Sequence, residues 1–404
     1  MLGLLIIYTF FIIFGMKIGY LDLSVFVPLV ILPFLMLNKK IYIPVWVIYV
    51  MIGIILLNII LLFSQISNNN FNFDDNLRLL RAVLVVPIII FVFNNISTNN
   101  ILNIVFYSIL LHCSLIIIAA NHDGINAIFS VVSGNDKVAL GRSSGLLAGF
   151  DIAGFLSLIA ISMLIFDLVS FPPILKTIFF IFIFISISYT SRVSMIVALL
   201  LSFVFGIRLI FYNRYGILLK ILLSLLALCF VTYYSVNYIK ILDVTFNVGL
   251  FDISQEELTD IARIHAVQQE GSFLWADMFI LPDTLGEIIF GNGADQILSD
   301  VGYVKEIFRY GVVGLFTSIL VHYYIIISVV RSSRYRSGGG KYFNFSVILL
   351  ILILLLNFKN NYFFTRGVWP FYIIYALAAS RWQKLPPPRE KNHIPLADAT
   401  ELLL

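Results

Sequence analysis

Charge is scarce in this chain. Lysine, arginine, aspartate and glutamate together supply 12% of its 404 residues, where an ordinary soluble domain carries about 25%. That shortage excludes a soluble domain. Cysteine is nearly absent. Cys113 and Cys229 both lie inside apolar runs, so they read as small packing residues and point to neither a disulfide framework nor a metal site. Also missing are zinc-ligand spacings, a nucleotide-binding glycine loop and a G-x-S-x-G elbow. The first apolar run lacks a basic leader and a small-residue cleavage site, and is expected to be a retained span rather than a removed signal.

What the chain has in abundance is apolar length. Hydrophobic residues make up 60% of it, in runs of about 20 residues, the number needed to cross hydrocarbon. The expectation is an all-α polytopic membrane protein with twelve spans: 2–16, 24–38, 41–63, 77–93, 101–120, 146–168, 174–190, 193–211, 216–236, 302–330, 343–357 and 366–381. The fourth and last are short and carry Arg81 and Arg366 near one end. With both termini in the cytoplasm, the dense basic clusters fall in short inner loops, "RSSRYRSGGGK" (331–341) above all, as the positive-inside rule requires. The chain then divides into spans one to nine over 1–236, an outer loop at 237–301, spans ten to twelve over 302–381, and a Pro-rich, polar, flexible cytoplasmic tail at 382–404. A second outer loop lies at 121–145. In the larger loop, Ser254 followed by Glu257 has the form of a capping box. Leu258, Ile261, Ile264 and Val267 follow at roughly helical spacing, which predicts an amphipathic helix on the membrane or over a cavity.

The ionisable residues are not spread evenly in depth. In this topology Arg78, Arg81, Arg142, Arg192, Arg263, Arg309 and Arg366 all fall in outer loops or at the outer ends of spans. A secondary transporter tends to place its ionisable groups near the midplane. Polar groups at the outer boundary suit a substrate whose lipid lies in the bilayer while its head projects outward. Arginine fits such a head, because its planar fork binds phosphate oxygens in pairs and keeps its charge. Converging arginines also stabilise a pyrophosphate as it leaves. The plainer reading is that each arginine reaches to lipid headgroups or to the outer acids. His112 and His322, alone in apolar helices, read as packing residues.

Three stretches carry a resemblance. "IIFGNGADQILSDVGYVKEIFRYGVVGLF" (288–316), "GRSSGLLAGFDIAGFLSL" (141–158) and "SRVSM" (191–195) occur in the order and topology of the O-antigen polymerase (Wzy) family. The chain resembles that family and the related O-antigen ligases. The matching features are Gly291 and Gly293, the 300–303 stretch "DVGY", and the spaced pair Gly311 and Gly314. Arg142 followed by Gly154 approximates an arginine-then-glycine pattern of the family. The resemblance implies a GT-C-like membrane glycosyltransferase of the bacterial inner membrane with its active site on the periplasmic side. It implies an undecaprenyl-pyrophosphate-linked oligosaccharide as donor and another as acceptor, membrane lipid around them, no cofactor or metal, and no nucleic acid. It also admits a chain-length-regulating membrane protein as partner. The ligases commonly have a histidine near the position where this chain reads "SDVGY", so the resemblance leans to polymerase. Ligase and polysaccharide flippase remain the alternatives.

The candidate residues follow. Arg142, Arg192, Arg263 and Arg309 are expected to hold pyrophosphate or glycan, and Tyr303 and Trp275 to stack on sugar rings. Asp300 and Glu306 stand where a base could take the acceptor hydroxyl's proton, with His265 and Glu270 next in line. Glu306 and Arg309, three apart on a helix, are also spaced to pair with each other.

Overall fold

The computed structural model describes residues 2–18, 21–36, 43–94, 96–133, 142–147, 149–211, 279–293, 301–334, 339–358 and 361–380. The expected span at 216–236, the 237–278 part of the expected outer loop with the amphipathic helix expected in it, and the tail lie outside the described residues. The chain runs α1 (Leu2–Phe14), β1 (Lys17–Ile18), β2 (Leu21–Asp22), α2 (Leu23–Met36), α3 (Val45–Ser67), α4 (Phe73–Phe93), α5 (Thr98–Ala120), α6 (Asp123–Ser133), α7 (Phe150–Ile165), α8 (Pro173–Ser188) and α9 (Arg192–Phe211). It continues with α10 (Leu285–Phe290), α11 (Gly302–Arg334), α12 (Gly340–Leu356) and α13 (Val368–Ser380). β1 and β2 form a two-residue antiparallel ladder, with Lys17 opposite Asp22, that joins α1 to α2.

Among the described residues, α3, α4, α5 and α11 are long and apolar enough to cross a membrane. α3, with 23 residues, reaches about 35 Å, against roughly 30 Å of hydrocarbon. The remaining apolar helices are shorter. The expected span at 146–168 is helical only over Phe150–Ile165, because the residues before it form a turn. His112 Nε2 accepts the Leu146 N–H at 3.3 Å, and Gly145 N–H donates to Ser143 Oγ at 3.1 Å.

Sequence composition decides which helices go to the centre. α13 has almost no polar face, and a helix that is apolar all round belongs in an interior. Every one of its residues is buried, and it packs on α1, α4, α5 and α11. The polar tips of buried aromatics tie this centre together. Trp369 Nε1 donates to the Ala82 carbonyl at 2.9 Å, and Tyr8 OH to that of Ile88 at 2.8 Å. α3 lies at the edge. Ile48, Tyr49, Ile52, Ile55, Leu56, Ile59 and Phe63 form an exposed apolar stripe at helical spacing. A stripe of that length is the face a bilayer covers.

The short connections carry their own signals. Asn72 caps α4, accepting from Asp74 N–H at 3.0 Å, and Asp74 and Asp75 in the first turn favour the helix dipole. Thr284 and Glu287 open α10 in the same way. The starts of α4, α11 and α13 meet at one end of the bundle. Lys176, Asp167 and Lys341 are joined at the starts of α8 and α12, at the other.

Candidate functional site

α11 is two helices. At Gly311 the backbone turns to φ +68° and ψ −175°, a conformation essentially reserved for glycine. A Cβ there would stand 2.1 Å from the Ile289 carbonyl oxygen. Gly291 is held as closely from the other side: at φ +81°, its Cβ would lie 2.6 Å from the Arg309 carbonyl. Asn292 N–H donates to Phe308 O at 2.8 Å. The "GNG" stretch is therefore docked into the bend between half-helix 302–310 and the long segment 312–334.

The bend turns Glu306 inward, where it is fully buried. Ser318 Oγ donates to Oε2 at 3.1 Å, Asn361 Nδ2 donates to Oε1, and Arg78 Nη2 lies 3.9 Å from Oε1. Arg78 Nη2 also donates to Asn361 Oδ1 at 3.0 Å and to the Phe363 carbonyl at 2.5 Å. Arg309 Nε faces Asp75 Oδ1 at 3.3 Å with both side chains buried, and Asn72 Nδ2 donates to Asp75 Oδ2 at 3.1 Å. The three-residue spacing predicts a Glu306–Arg309 pair along the helix, yet the ion pairs of both run across to α4. A third group completes this end. Arg366 Nη2 donates to Asp22 Oδ2 at 2.7 Å, with Arg81 Nη1 3.6 Å from the same oxygen.

The 361–367 loop, "NYFFTRG", connects these charges. Asn361 bridges Arg78 and Glu306, the Phe363 and Phe364 carbonyls take Arg78 and Arg81, and Arg366 reaches Asp22. Phe364 holds φ +54°, an uncommon conformation for an aromatic residue. The loop also faces α7. The Tyr362 ring lies 5.3 Å from that of Phe155. Burial, reinforced by nearby Asp151, raises its phenol well above the usual range, so it stays neutral.

On that side Arg142 and Ser143 meet the turn that follows α8, and Ser191 of "SRVSM" meets Asp151 at the start of α7. Arg142 donates through Nε and Nη2 to the Thr190 carbonyl, at 3.0 and 2.7 Å, just past the end of α8. Its guanidinium stands over the Phe150 ring at 4.5 Å. A cation there also suits a helix C-terminus. Ser143 N–H donates to Tyr189 O at 2.9 Å, Ser191 Oγ donates to Asp151, and Arg192 opens α9.

Tyr303 turns to α12. Its hydroxyl donates to the Leu354 carbonyl at 2.6 Å, and its ring meets Phe358 edge-on at 5.0 Å. Asp300, Arg263, His265, Glu270 and Trp275 lie outside the described residues. His112 stacks on Phe14 at 4.1 Å, and His322 lies among Phe363, Phe364, Trp369 and Tyr372. Both are packed in rings, as expected of them. Among the described residues no three His, Cys, Asp or Glu side chains are placed to hold a metal.

Sequence reasoning missed Asp22, Asp75, Ser318 and Asn361. A signal was there for one of them. Asp75, Arg78 and Arg81 recur at spacing three in an otherwise apolar helix, where charge is costly and is kept for partners or function. No family model, no curated protein and no solved structure matches this chain.

Proposed function

We propose that this chain is a polymerase of lipid-linked oligosaccharide repeat units, a metal-independent glycosyltransferase of the bacterial inner membrane acting at its periplasmic side. On this reading it has twelve spans in a GT-C-like arrangement, with 216–236 as the ninth and 237–301 as an outer loop covering the polar end. The observation that supports it is the gathering of arginines and carboxylates at one end of an apolar bundle, at the starts of α4, α11 and α13. That depth suits a substrate anchored in lipid with a pyrophosphate at the boundary.

The reaction needs little machinery. The terminal sugar hydroxyl of one lipid-linked unit attacks the anomeric carbon of another. The new glycosidic C–O bond forms as the bond to pyrophosphate breaks, and undecaprenyl pyrophosphate leaves with the electron pair. Arginines oppose the charge that grows on the leaving oxygens. Arg142, Arg192, Arg263 and Arg309 are assigned to pyrophosphate and glycan, with Tyr303 and Trp275 beside the sugars. The hydroxyl's proton goes to a carboxylate or imidazole, and Asp300 is the first choice, before His265 and Glu270. Glu306, enclosed by Ser318, Asn361 and Arg78, is assigned to positioning Arg78 and the loop rather than to proton transfer. Deleting the gene and running surface polysaccharide on a gel tests the reading. Loss of long chains with one repeat still attached is the expected result. Loss of every repeat points to a ligase or flippase instead.

A further inference from the structure

Among the described residues, the ion pairs around the 361–367 loop join four arginines to three carboxylates. Two of the arginines are matched one to one, Arg78 by Glu306 and Arg309 by Asp75. The other two, Arg81 and Arg366, share Asp22. The surplus positive charge of the network is therefore localised on this pair.

Asp22 carries one negative charge against the two guanidinium groups. Oδ1 already accepts from Ser24 N–H at 3.0 Å and Ser24 Oγ at 2.5 Å, and Oδ2 takes Arg366 with Arg81 beside it. The guanidinium groups, by contrast, have donors to spare. Each carries five N–H groups. Among the described residues Arg366 has Asp22 as its polar partner, and Arg81 has Asp22 and, at 3.4 Å, the Phe364 carbonyl. The site is also partly exposed. Side-chain exposure is 15% at Arg81, 23% at Arg366 and 25% at Asp22, whereas Arg309 and Asp75 are each at 8%. Arg81 lies eight residues beyond the first residue of α4, about 12 Å along the helix. A surplus charge at that depth calls for an anion as partner.

We infer that Arg81 and Arg366 form an anion site for the phosphate group of a lipid, separate from the Asp75–Arg309 pair. Two guanidinium forks that approach a single carboxylate oxygen carry donors enough for the several oxygens of a phosphate or pyrophosphate. The position, at the end of the bundle but within the length of a membrane helix, favours a phosphate delivered by a lipid. On the polymerase reading, from which this last step follows, two lipid pyrophosphates occupy the protein at once. One leaves during transfer, and the one held here belongs to the acceptor and stays attached to the product.

The test uses the full chain in phosphatidylcholine nanodiscs, with equilibrium binding of radiolabelled undecaprenyl pyrophosphate and with inorganic pyrophosphate as competitor. Arg366→Gln is expected to weaken binding at one class of site by about tenfold or more, the range of a charged hydrogen bond. Arg366→Lys is expected to lose less. Asp22→Asn keeps the oxygen that serves Ser24 and removes the competing charge, so binding is expected to tighten. A purely structural ion pair gives the opposite pattern: both Arg366→Gln and Asp22→Asn lower thermal stability, and neither raises affinity. Unchanged affinity in Arg366→Gln, or weaker affinity in Asp22→Asn, overturns the inference. Inorganic pyrophosphate that fails to displace the labelled lipid assigns the site to a lipid phosphate. Full displacement at equal concentration assigns it to free phosphate and overturns the lipid source. Arg309→Lys in the same assay separates the two claims. If it abolishes binding while Arg366→Gln does not, this site falls and the polymerase reading stands. If Arg366→Gln weakens binding in a protein that forms no polymer, the site stands and that reading falls.

Discussion

Ser318 Oγ lies 3.1 Å from Glu306 Oε2, although twelve positions separate the two residues. Along an unbroken helix that separation is about 18 Å, so this one contact measures how far the half-helix folds back at Gly311. The fold-back puts a charged turn inside the bundle, against α4 and the 361–367 loop. It also answers why Glu306 and Arg309 occur at the head of an apolar run. They belong to a separate half-helix whose charges are matched by Arg78 and Asp75.

Gly311→Ala is expected to undo that arrangement. The substitution puts a Cβ into a backbone conformation costing about 1–3 kcal/mol for a non-glycine residue. It also drives that Cβ against the Ile289 carbonyl. A lower melting temperature of the purified protein in detergent, with loss of polymer in cells, is the expected outcome. Gly206→Ala in α9, where an added Cβ meets nothing within 4 Å, serves as the control that tests whether the effect belongs to the bend. Equal melting temperatures for wild type and Gly311→Ala contradict the docking described for the "GNG" stretch.

Glu306→Gln keeps shape and removes charge, leaving Arg78 against a neutral partner in a buried site. Breaking a buried ion pair from one side costs about 3–5 kcal/mol, so a large fall in thermal stability is expected. The double change Arg78→Gln with Glu306→Gln is expected to recover part of the loss, because no uncompensated charge then remains. If the double variant is less stable than the sum of the two single changes, the pairing is not what holds this end together.

How much of this was legible beforehand depends on range. Helices are local, and apolar runs located α1 to α5, α7 to α9 and α11 to α13 to within a few residues. Of the two short expected spans, the last is α13, buried throughout, with Arg366 standing just before it, and both Arg366 and Arg81 have Asp22 beside them. Tertiary pairing was not legible. Asn361 meets Glu306 across 55 residues and Arg78 across 283, and nothing in their spacing says so. The pair Gly311 and Gly314 was visible as a motif, but not that one of them breaks the helix while the other does not.

Arg309→Lys addresses phosphate recognition. Lysine preserves the charge facing Asp75 but lacks the planar fork, so stability is expected to hold while polymer length falls sharply at matched membrane levels. Wild-type chain lengths in this variant remove Arg309 from the phosphate-binding set.

Asp300→Asn addresses the base. A general base contributes roughly 10²–10⁴-fold in rate, so the variant is expected to assemble normally and leave single repeats unjoined. Full activity removes Asp300 as the base and moves that role to His265 or Glu270.

The central claim is glycosyl transfer between two lipid-linked units, and purified protein measures it directly. The protein is mixed with undecaprenyl-pyrophosphate-linked repeat units alone, without nucleotide sugar and with a chelator present. Products are resolved on a gel while released undecaprenyl pyrophosphate is counted. The account predicts a ladder of chain lengths, with one undecaprenyl pyrophosphate released for each linkage formed. Intact single repeats with no release, or transfer only when lipid A–core is added, would contradict it.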